Sequence, residues 1–175
     1  MTLEAYPRPD HDTGYGFFYL ADTEHYSPDD ATHWMPELRS MGASWLVIVS
    51  RLDIPIPEFF VRRLISEGIE PIVRVVTPLI EPVDNNVLAD LLDSYRRWGV
   101  HYVEIYAEPN LASRWPTQEW CRPNLVERFV GMLAPCLSEM HSAGLTPVFP
   151  ALRPGGDYWD LSFLSSALEL LSARI

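Results

Sequence analysis

One pattern recurs four times along the chain and limits the folds open to it: a helical stretch, then a glycine, then a short apolar strand. Each glycine stands where a helix needs a left-handed residue to end, and only glycine adopts that conformation without steric cost. Helices and strands that alternate in this way predict a parallel α/β sheet. The four segments are residues 38–49, 64–75, 95–106 and 139–150, and their glycines are Gly42, Gly68, Gly99 and Gly144.

An additional apolar stretch near the amino end supplies a first strand, so five β/α units are predicted. The expected strands cover residues 15–20, 45–50, 71–76, 101–108 and 146–152. The expected helices cover residues 28–41, 57–67 and 86–98, a stretch that begins at 123, and residues 160–175. Ser27 and Asp160 are the predicted caps of the first and last helices. Residues 1–14 are expected to form a polar arm, and residues 15–175 a partial barrel domain.

Five units leave two architectures open. A TIM-type (β/α)8 barrel typically needs ~250 residues, so a chain of 175 residues holds about the first five units of such a barrel. The alternative is a complete doubly wound domain of five strands and flavodoxin-like size.

The composition limits the classes of partner and of chemistry that are expected for this chain. With 47% hydrophobic and 21% charged residues, the chain has the make-up of a folded domain. Its net charge of −11 disfavours nucleic acid and anionic membranes, and favours a neutral or cationic ligand. All 13 basic residues are arginines, which excludes the Schiff-base and P-loop chemistries that need a lysine.

No metal or cofactor is predicted. The two cysteines, Cys121 and Cys136, belong to no CxxC motif or Cys/His cluster, so a zinc site is not expected, although a disulfide between them stays open. No GxGxxG follows the first strand, so no dinucleotide is expected. The amino end lacks the layout of a signal peptide, and no apolar run approaches membrane-spanning length. The sequence leaves the compartment unknown.

The fourth predicted strand contains the most informative residue. Its sequence, HYVEIYAEPN, alternates like a half-buried strand and stops at Pro109, which cannot donate to a sheet and favours an extended Glu108. Glu108 is therefore expected at the carboxyl end of a strand, where ligands bind in parallel barrels. Alternation places Tyr102, Glu104, Tyr106 and Glu108 on one face, and Val103, Ile105 and Ala107 on the other.

This strand end resembles the strand-four Asn-Glu-Pro signature of the retaining (β/α)8 glycoside hydrolases. Glu108 and Pro109 match the signature and Asn110 matches a common extension of it, while Ala107 replaces the asparagine that binds the sugar 2-hydroxyl in that clan. The resemblance implies that Glu108 is a general acid/base, which protonates the glycosidic oxygen and then activates water. The clan's nucleophilic glutamate follows strand seven, so it is expected outside this chain.

Further site residues are predicted from their positions after the strands. Arg74 is expected in the barrel interior beside Glu104 or Glu108, either orienting a carboxylate at the site or forming a structural ion pair. The acidic side chains after the first strand suit sugar hydroxyls, or else they are solvated. The aromatic rings after the fourth and fifth strands suit the faces of sugar rings, or else they pack on the scaffold. The predicted substrate-binding residues are Asn110, Trp115, Trp120, Arg74, Asp22, Glu24 and Trp159, and the same alternatives apply to Arg51 and Asp53 after the second strand.

Three functions follow from these residues. The first is a glycoside-hydrolase-like barrel with Glu108 as acid/base, the fragment alone being inactive because its nucleophile lies elsewhere. The second is a non-catalytic carbohydrate-binding or interaction domain, which Ala107 favours. The third is a barrel enzyme of unrelated chemistry, because a fold does not specify a function. A carbohydrate is the expected ligand, and exposed strand edges predict self-association or a missing carboxyl-terminal half-barrel.

Overall fold

A computed structural model describes residues 6–173 and contains one sheet of five parallel strands. The strands lie in the order in which they occur along the chain, as in an arc of a barrel. A doubly wound sheet reverses its strand order part-way across, so the flavodoxin-like alternative does not apply. The strands are β1 (Gly16–Phe18), β2 (Trp45–Arg51), β3 (Glu70–Val76), β4 (Tyr102–Ile105) and β5 (Thr146–Val148).

Six helices accompany the sheet, and the principal ones pack against each other in sequence order on its outer face. Ser27 caps the first helix with a capping box, as predicted: its side chain accepts a hydrogen bond from the backbone N–H of Asp30, and the Asp30 carboxylate accepts one from the backbone N–H of Ser27. The helices are α1 (Pro28–Ser40), α2 (Glu58–Ser66), α3 (Asn85–Trp98), α4 (Thr117–Trp120), α5 (Leu125–Ser142) and α6 (Asp160–Ser172).

The structure corrects several predicted boundaries. Asp160 is the first residue of α6 and not its cap, and its carboxylate accepts a hydrogen bond from the backbone N–H of Gly155. The loop predicted after the fourth strand contains α4 and a 3-10 turn over Ala112–Arg114. α1 and α5 run through Pro36 and Pro135, each without the one hydrogen bond that a proline cannot donate. The predicted end of the last helix at residues 174–175 lies outside the described residues.

The main core lies between the sheet and the outer helices. Alternate residues of the central strands, such as Leu46, Val73 and Val103, point outwards and are fully buried there. They pack with buried side chains from α2, α3 and α5, such as Phe60 and Leu92. The four glycines of the repeat all have positive φ, as predicted, and each lets a helix turn sharply into the next strand.

The amino-terminal arm covers the end of the sheet opposite the loops that follow the strands. The hydroxyl of Tyr102 donates to the carbonyl of Pro7 over 2.6 Å, and Nε1 of Trp45 donates to Oδ1 of Asp12 over 2.8 Å. Both rings belong to the inner face of the sheet and meet edge to face. Residues 6–14 of the predicted arm therefore close the amino ends of the strands, and residues 1–5 lie outside the described part of the chain.

Candidate active site at the carboxyl ends of the strands

An open cleft of about 1060 Å³ lies at the carboxyl end of the sheet and is lined by residues that end or follow each of the five strands. Ligands bind at this end of parallel barrels because the loops of successive strands converge there. The charged residues that line the cleft are Asp22, Glu24, Arg51, Asp53, Arg74, Glu108, Arg114 and Arg153.

The chain turns away from the sheet at the end of β4 in a way that the alternation does not predict. Tyr106 and Glu108 both have left-handed backbones, with φ of 67° and 51°, so Glu108 is not extended. The first of these turns moves Tyr106 off the inner face: its ring packs against Phe129 of α5 and its hydroxyl donates to the carbonyl of Glu81. Left-handed backbone is costly for residues other than glycine, and such strain concentrates at functional sites.

The turn that holds Glu108 is closed by two backbone hydrogen bonds. The N–H of Glu108 donates to the carbonyl of Ala151 over 2.9 Å, and the carbonyl of Glu108 accepts from the N–H of Leu111 over 3.0 Å. The side chain is 29% exposed at the cleft, and its Oε1 lies 2.8 Å from Nη2 of Arg153. Glu108 therefore presents a carboxylate on a backbone tied to two neighbouring segments.

Arg74 lies where the sequence predicts it, beside Glu104. The two residues are register partners on β3 and β4, and Nε of Arg74 lies 3.0 Å from Oε2 of Glu104. The N–H of that nitrogen points off the line to the oxygen, so the contact is an ion pair without an aligned hydrogen bond. Burial raises the pKa of Glu104 more than the Ala151 N–H and the arginine lower it. The guanidinium also lies 4.8 Å from the centre of the Phe18 ring.

Arg114 lines the cleft and was not singled out by the sequence. Its Nε donates to the carbonyl of Ala107 over 3.2 Å, and its Nη2 donates to the carbonyl of Thr77 over 3.5 Å. These bonds join the end of β4 to the loop after β3 and hold the guanidinium at the cleft. No strand periodicity marks Arg114, because it lies in the 3-10 turn.

Asp22 and Glu24 line the cleft in the loop after β1, as predicted. Asp22 accepts hydrogen bonds from the backbone N–H of Glu24 and from Nδ1 of His25 over 2.9 Å. The backbone hydrogen bond is the main cause that lowers the pKa of Asp22, and the Asp22 carboxylate in turn raises the pKa of His25. In the next loop Arg51 donates two hydrogen bonds to Asp53.

Two predicted substrate-binding residues lie away from the cleft. Asn110 is completely buried, and its side-chain amide hydrogen-bonds the backbone of Arg153 and Tyr158. Trp115 is 3% exposed: its Nε1 donates to the carbonyl of Pro109 and its ring packs in the core. Both side chains satisfy buried backbone groups of the loops, so neither is available to a ligand.

The predicted aromatic platform does not form either. Trp120, in α4, packs against the core, while Trp159 is 59% exposed just before α6 and does not line the cleft. The aromatic ring that does line it belongs to Phe18, at the end of β1 and 47% exposed. One sequence signal could have predicted that Phe18 and Arg153 line the cleft. Both residues lie at or just after the carboxyl end of a strand.

Residues 6–173 contain neither a cluster of metal ligands nor a membrane-spanning helix. No group of three His, Cys, Asp or Glu side chains in that range is placed to hold a metal ion. No helix within it is long and apolar enough to cross a membrane. Both cysteines are free, and Cys136 is buried on α5.

The chain resembles solved enzymes in fold but not in sequence. No protein-family model and no curated protein matches it. D-psicose 3-epimerase from Clostridium cellulolyticum H10, solved with D-tagatose, matches with a TM-score of 0.54 and 16% identity over 87% of this chain. This chain has the fold of a partial (β/α)8 barrel. It spans 59% of the length of the epimerase.

Two other enzymes match less closely. The arginine decarboxylase of Paramecium bursaria Chlorella virus, bound to agmatine, has a TM-score of 0.49 and 11% identity over 90% of this chain and 42% of its own. HMG-CoA lyase from Brucella melitensis has a TM-score of 0.45 and 13% identity, and the match covers 78% of this chain and 62% of the lyase.

Proposed function

We propose that the chain belongs to a glycoside-hydrolase-like barrel that acts on or binds carbohydrate, with Glu108 as its general acid/base. One observation carries the proposal: the Glu-Pro-Asn sequence lies at the end of β4, and its glutamate lines the cleft at the carboxyl ends of the strands. The left-handed backbone at Glu108 supports it, because strain of this kind clusters at functional sites.

The proposed chemistry assigns two successive steps to Glu108. As an acid it gives a proton to the glycosidic oxygen of the leaving group, and as a base it later takes a proton from the attacking water. One oxygen, Oε1, contacts Arg153, and Oε2 accepts no hydrogen bond from residues 6–173, which leaves it for the ligand.

The nucleophile is the second requirement of this mechanism. A retaining glycosidase places its two carboxyl groups ~5 Å apart. In the clan that the sequence resembles, the nucleophile follows strand seven, and residues 6–173 form five strands. We assign no cleft carboxylate to that role: Asp22 and Asp53 are held by His25 and Arg51 respectively, and Glu24 follows β1 rather than a seventh strand.

A specific observation also favours the second candidate function, a non-catalytic carbohydrate-binding domain. Ala107 lines the cleft at the position where the clan has an asparagine for the sugar 2-hydroxyl. Hydrogen bonds to that hydroxyl strengthen in the transition state and supply several kcal/mol, so their loss lowers catalysis more than binding.

Hydrolysis of aryl glycosides by the full-length gene product, in which the nucleophile would be present, tests the first candidate. We expect Glu108→Gln to lower kcat/KM strongly for substrates with poor leaving groups and only slightly for activated dinitrophenyl glycosides, because kcat/KM reports the first step and an activated leaving group needs no proton there. Glu37→Gln, an exposed carboxylate variant on α1, is the matched control and should change neither rate.

The outcomes separate the candidates. A loss that depends on the leaving group supports Glu108 as the acid/base. An equal loss for all substrates indicates a positioning role, and contradicts the proposal. No turnover by a folded protein that nevertheless binds sugar, measured by calorimetry, favours the binding domain.

A further inference from the structure

We propose that the carbohydrate bound in this cleft carries an anionic group, a carboxylate or a phosphate, and that Arg74 and Arg114 hold it. The inference rests on the proposed function and specifies its substrate class. The net charge of the chain favours neutral or cationic ligands, but local charges dominate within a Debye length of ~8 Å. The arrangement of the cleft arginines, and not the net charge of the chain, therefore determines which ligand charge the cleft favours.

Arg74 is largely buried, and its guanidinium donates no hydrogen bond within residues 6–173. Its side chain is only 15% exposed and lines the cleft from the inner face of β3. Its Nε is buried without a hydrogen-bond partner, and its terminal nitrogens donate no hydrogen bond to any residue in the range 6–173. Since Nε faces Glu104, the terminal nitrogens are the donors that Arg74 can offer at the cleft, and a guanidinium binds a carboxylate or phosphate through such donors.

Arg114 supplies a positive charge that the described residues do not neutralise. Its Nε and Nη2 donate to backbone carbonyls and make no ion pair with a carboxylate in the described part of the chain. The other three cleft arginines differ, because Arg51 is paired with Asp53, Arg74 with Glu104 and Arg153 with Glu108. Arg114 therefore orients an unpaired guanidinium towards the ligand.

The charges of the cleft are also distributed unevenly. Arg74, Arg114 and Arg153 lie on or after β3, β4 and β5, whereas Asp22 and Glu24 follow β1. An anionic group beside Glu108 meets the basic side, and the hydroxyls of the same sugar reach the acidic side. Arginine binds carboxylate and phosphate alike through paired N–H donors, so both a uronic acid and a sugar phosphate fit.

Calorimetric binding to matched ligand pairs tests the inference. Each pair keeps one sugar ring and changes one charge: methyl glucuronoside and methyl galacturonoside against their methyl esters, and glucose 6-phosphate against glucose. We expect the charged member of a pair to bind at least about tenfold more tightly at low salt, and the preference to shrink at high salt. Inorganic phosphate reports binding of an anion alone.

Variants assign the preference to the two arginines. Arg114→Gln should remove most of the preference and Arg114→Lys should keep part of it, while Arg39→Gln, on the outer helix α1, should leave it unchanged. Arg74→Gln alone leaves Glu104 buried without its cation and is expected to unfold the protein partly. The double variant Arg74→Gln/Glu104→Gln removes both charges, and circular dichroism checks that it is folded.

The outcomes distinguish the anion-binding inference from the proposed function. A preference for the uronic acids or for the sugar phosphate, lost with Arg114→Gln, supports the inference and identifies the anion. Equal binding of charged and neutral members, or inorganic phosphate bound as tightly as glucose 6-phosphate, overturns it and leaves the proposed function intact. Binding of none of the sugars overturns both. Glu108→Gln should lower turnover while keeping the charge preference, which separates the acid/base role from the anion site.

Discussion

The side chain of Asn110 binds both backbone polar groups of Arg153. Its Oδ1 accepts from the N–H of Arg153 over 2.9 Å, and its Nδ2 donates to the carbonyl of Arg153 over 2.8 Å. Because the guanidinium of Arg153 contacts Glu108, this amide joins the turn that presents the carboxylate to the loop that presents its cation. Gly156 lies so close to the amide that a Cβ there would overlap it.

Asn110→Ala should lower the free energy of unfolding by about 2–5 kcal/mol, because it leaves buried backbone groups of Arg153 and Tyr158 without partners. Asn110→Asp, which keeps the acceptor and loses the donors, should also be less stable than the wild type. Urea unfolding measures both. The exposed variant Asn86→Ala, in the first turn of α3, is the control, and a similarly small change at both sites would contradict the prediction.

Glu108→Gly should be more stable than Glu108→Ala by about 1 kcal/mol, because both remove the Arg153 contact and only glycine relieves the left-handed backbone. At Glu127, in α5, the alanine variant should instead be more stable than the glycine variant by a similar amount, because glycine is unfavourable inside a helix. Urea unfolding of the four variants measures the two differences. If alanine is the more stable residue at both positions, the turn at Glu108 is not strained.

In the full-length gene product, Ala107→Asn should increase the turnover of aryl glycosides, because the side chain at this position lines the cleft and the amide can bind the sugar 2-hydroxyl. The gain should be absent with 2-deoxy glycosides, which lack that hydroxyl. Steady-state kinetics on the two substrate series measures the effect. An equal gain on both series would mean that the asparagine acts in another way.

His25 should titrate above its ordinary pKa of 6.5, because the protonated ring is stabilised by Asp22. A raised pKa means that this contact stabilises the loop below pH 6.5 and that its contribution is lost as the pH rises through the raised pKa. Asp22→Asn should move the midpoint of the His25 imidazole signals, followed by NMR, back towards 6.5. Asp90→Asn, on α3, should leave it in place, and an unchanged midpoint in Asp22→Asn would contradict the assignment.

The parts of the fold and of the cleft that depend on local sequence could be predicted. Glycine after a helix and apolar residues in the strand that follows are patterns of a few residues, and they repeat, so the β/α order follows from them. Register then places Arg74 beside Glu104, and strand ends place Asp22, Glu24 and Glu108 at one edge of the sheet. Whether Glu108 acts as an acid/base stays a prediction.

The remaining features of the site depend on contacts between segments that are far apart in the chain. The amide of Asn110 is buried against a loop 43 residues later, and the left-handed turn at Tyr106 sends its ring into the outer core. No local pattern encodes which polar side chain meets an unpaired backbone group, because that depends on where two loops pack. The sequence pattern therefore determined the parallel β/α order and the carboxylate at a strand end, and the strand order of the structure decided for the barrel. Packing decided that Asn110 and Trp115 bond to the loops that form the site, and that Arg114 and Arg153 line the cleft.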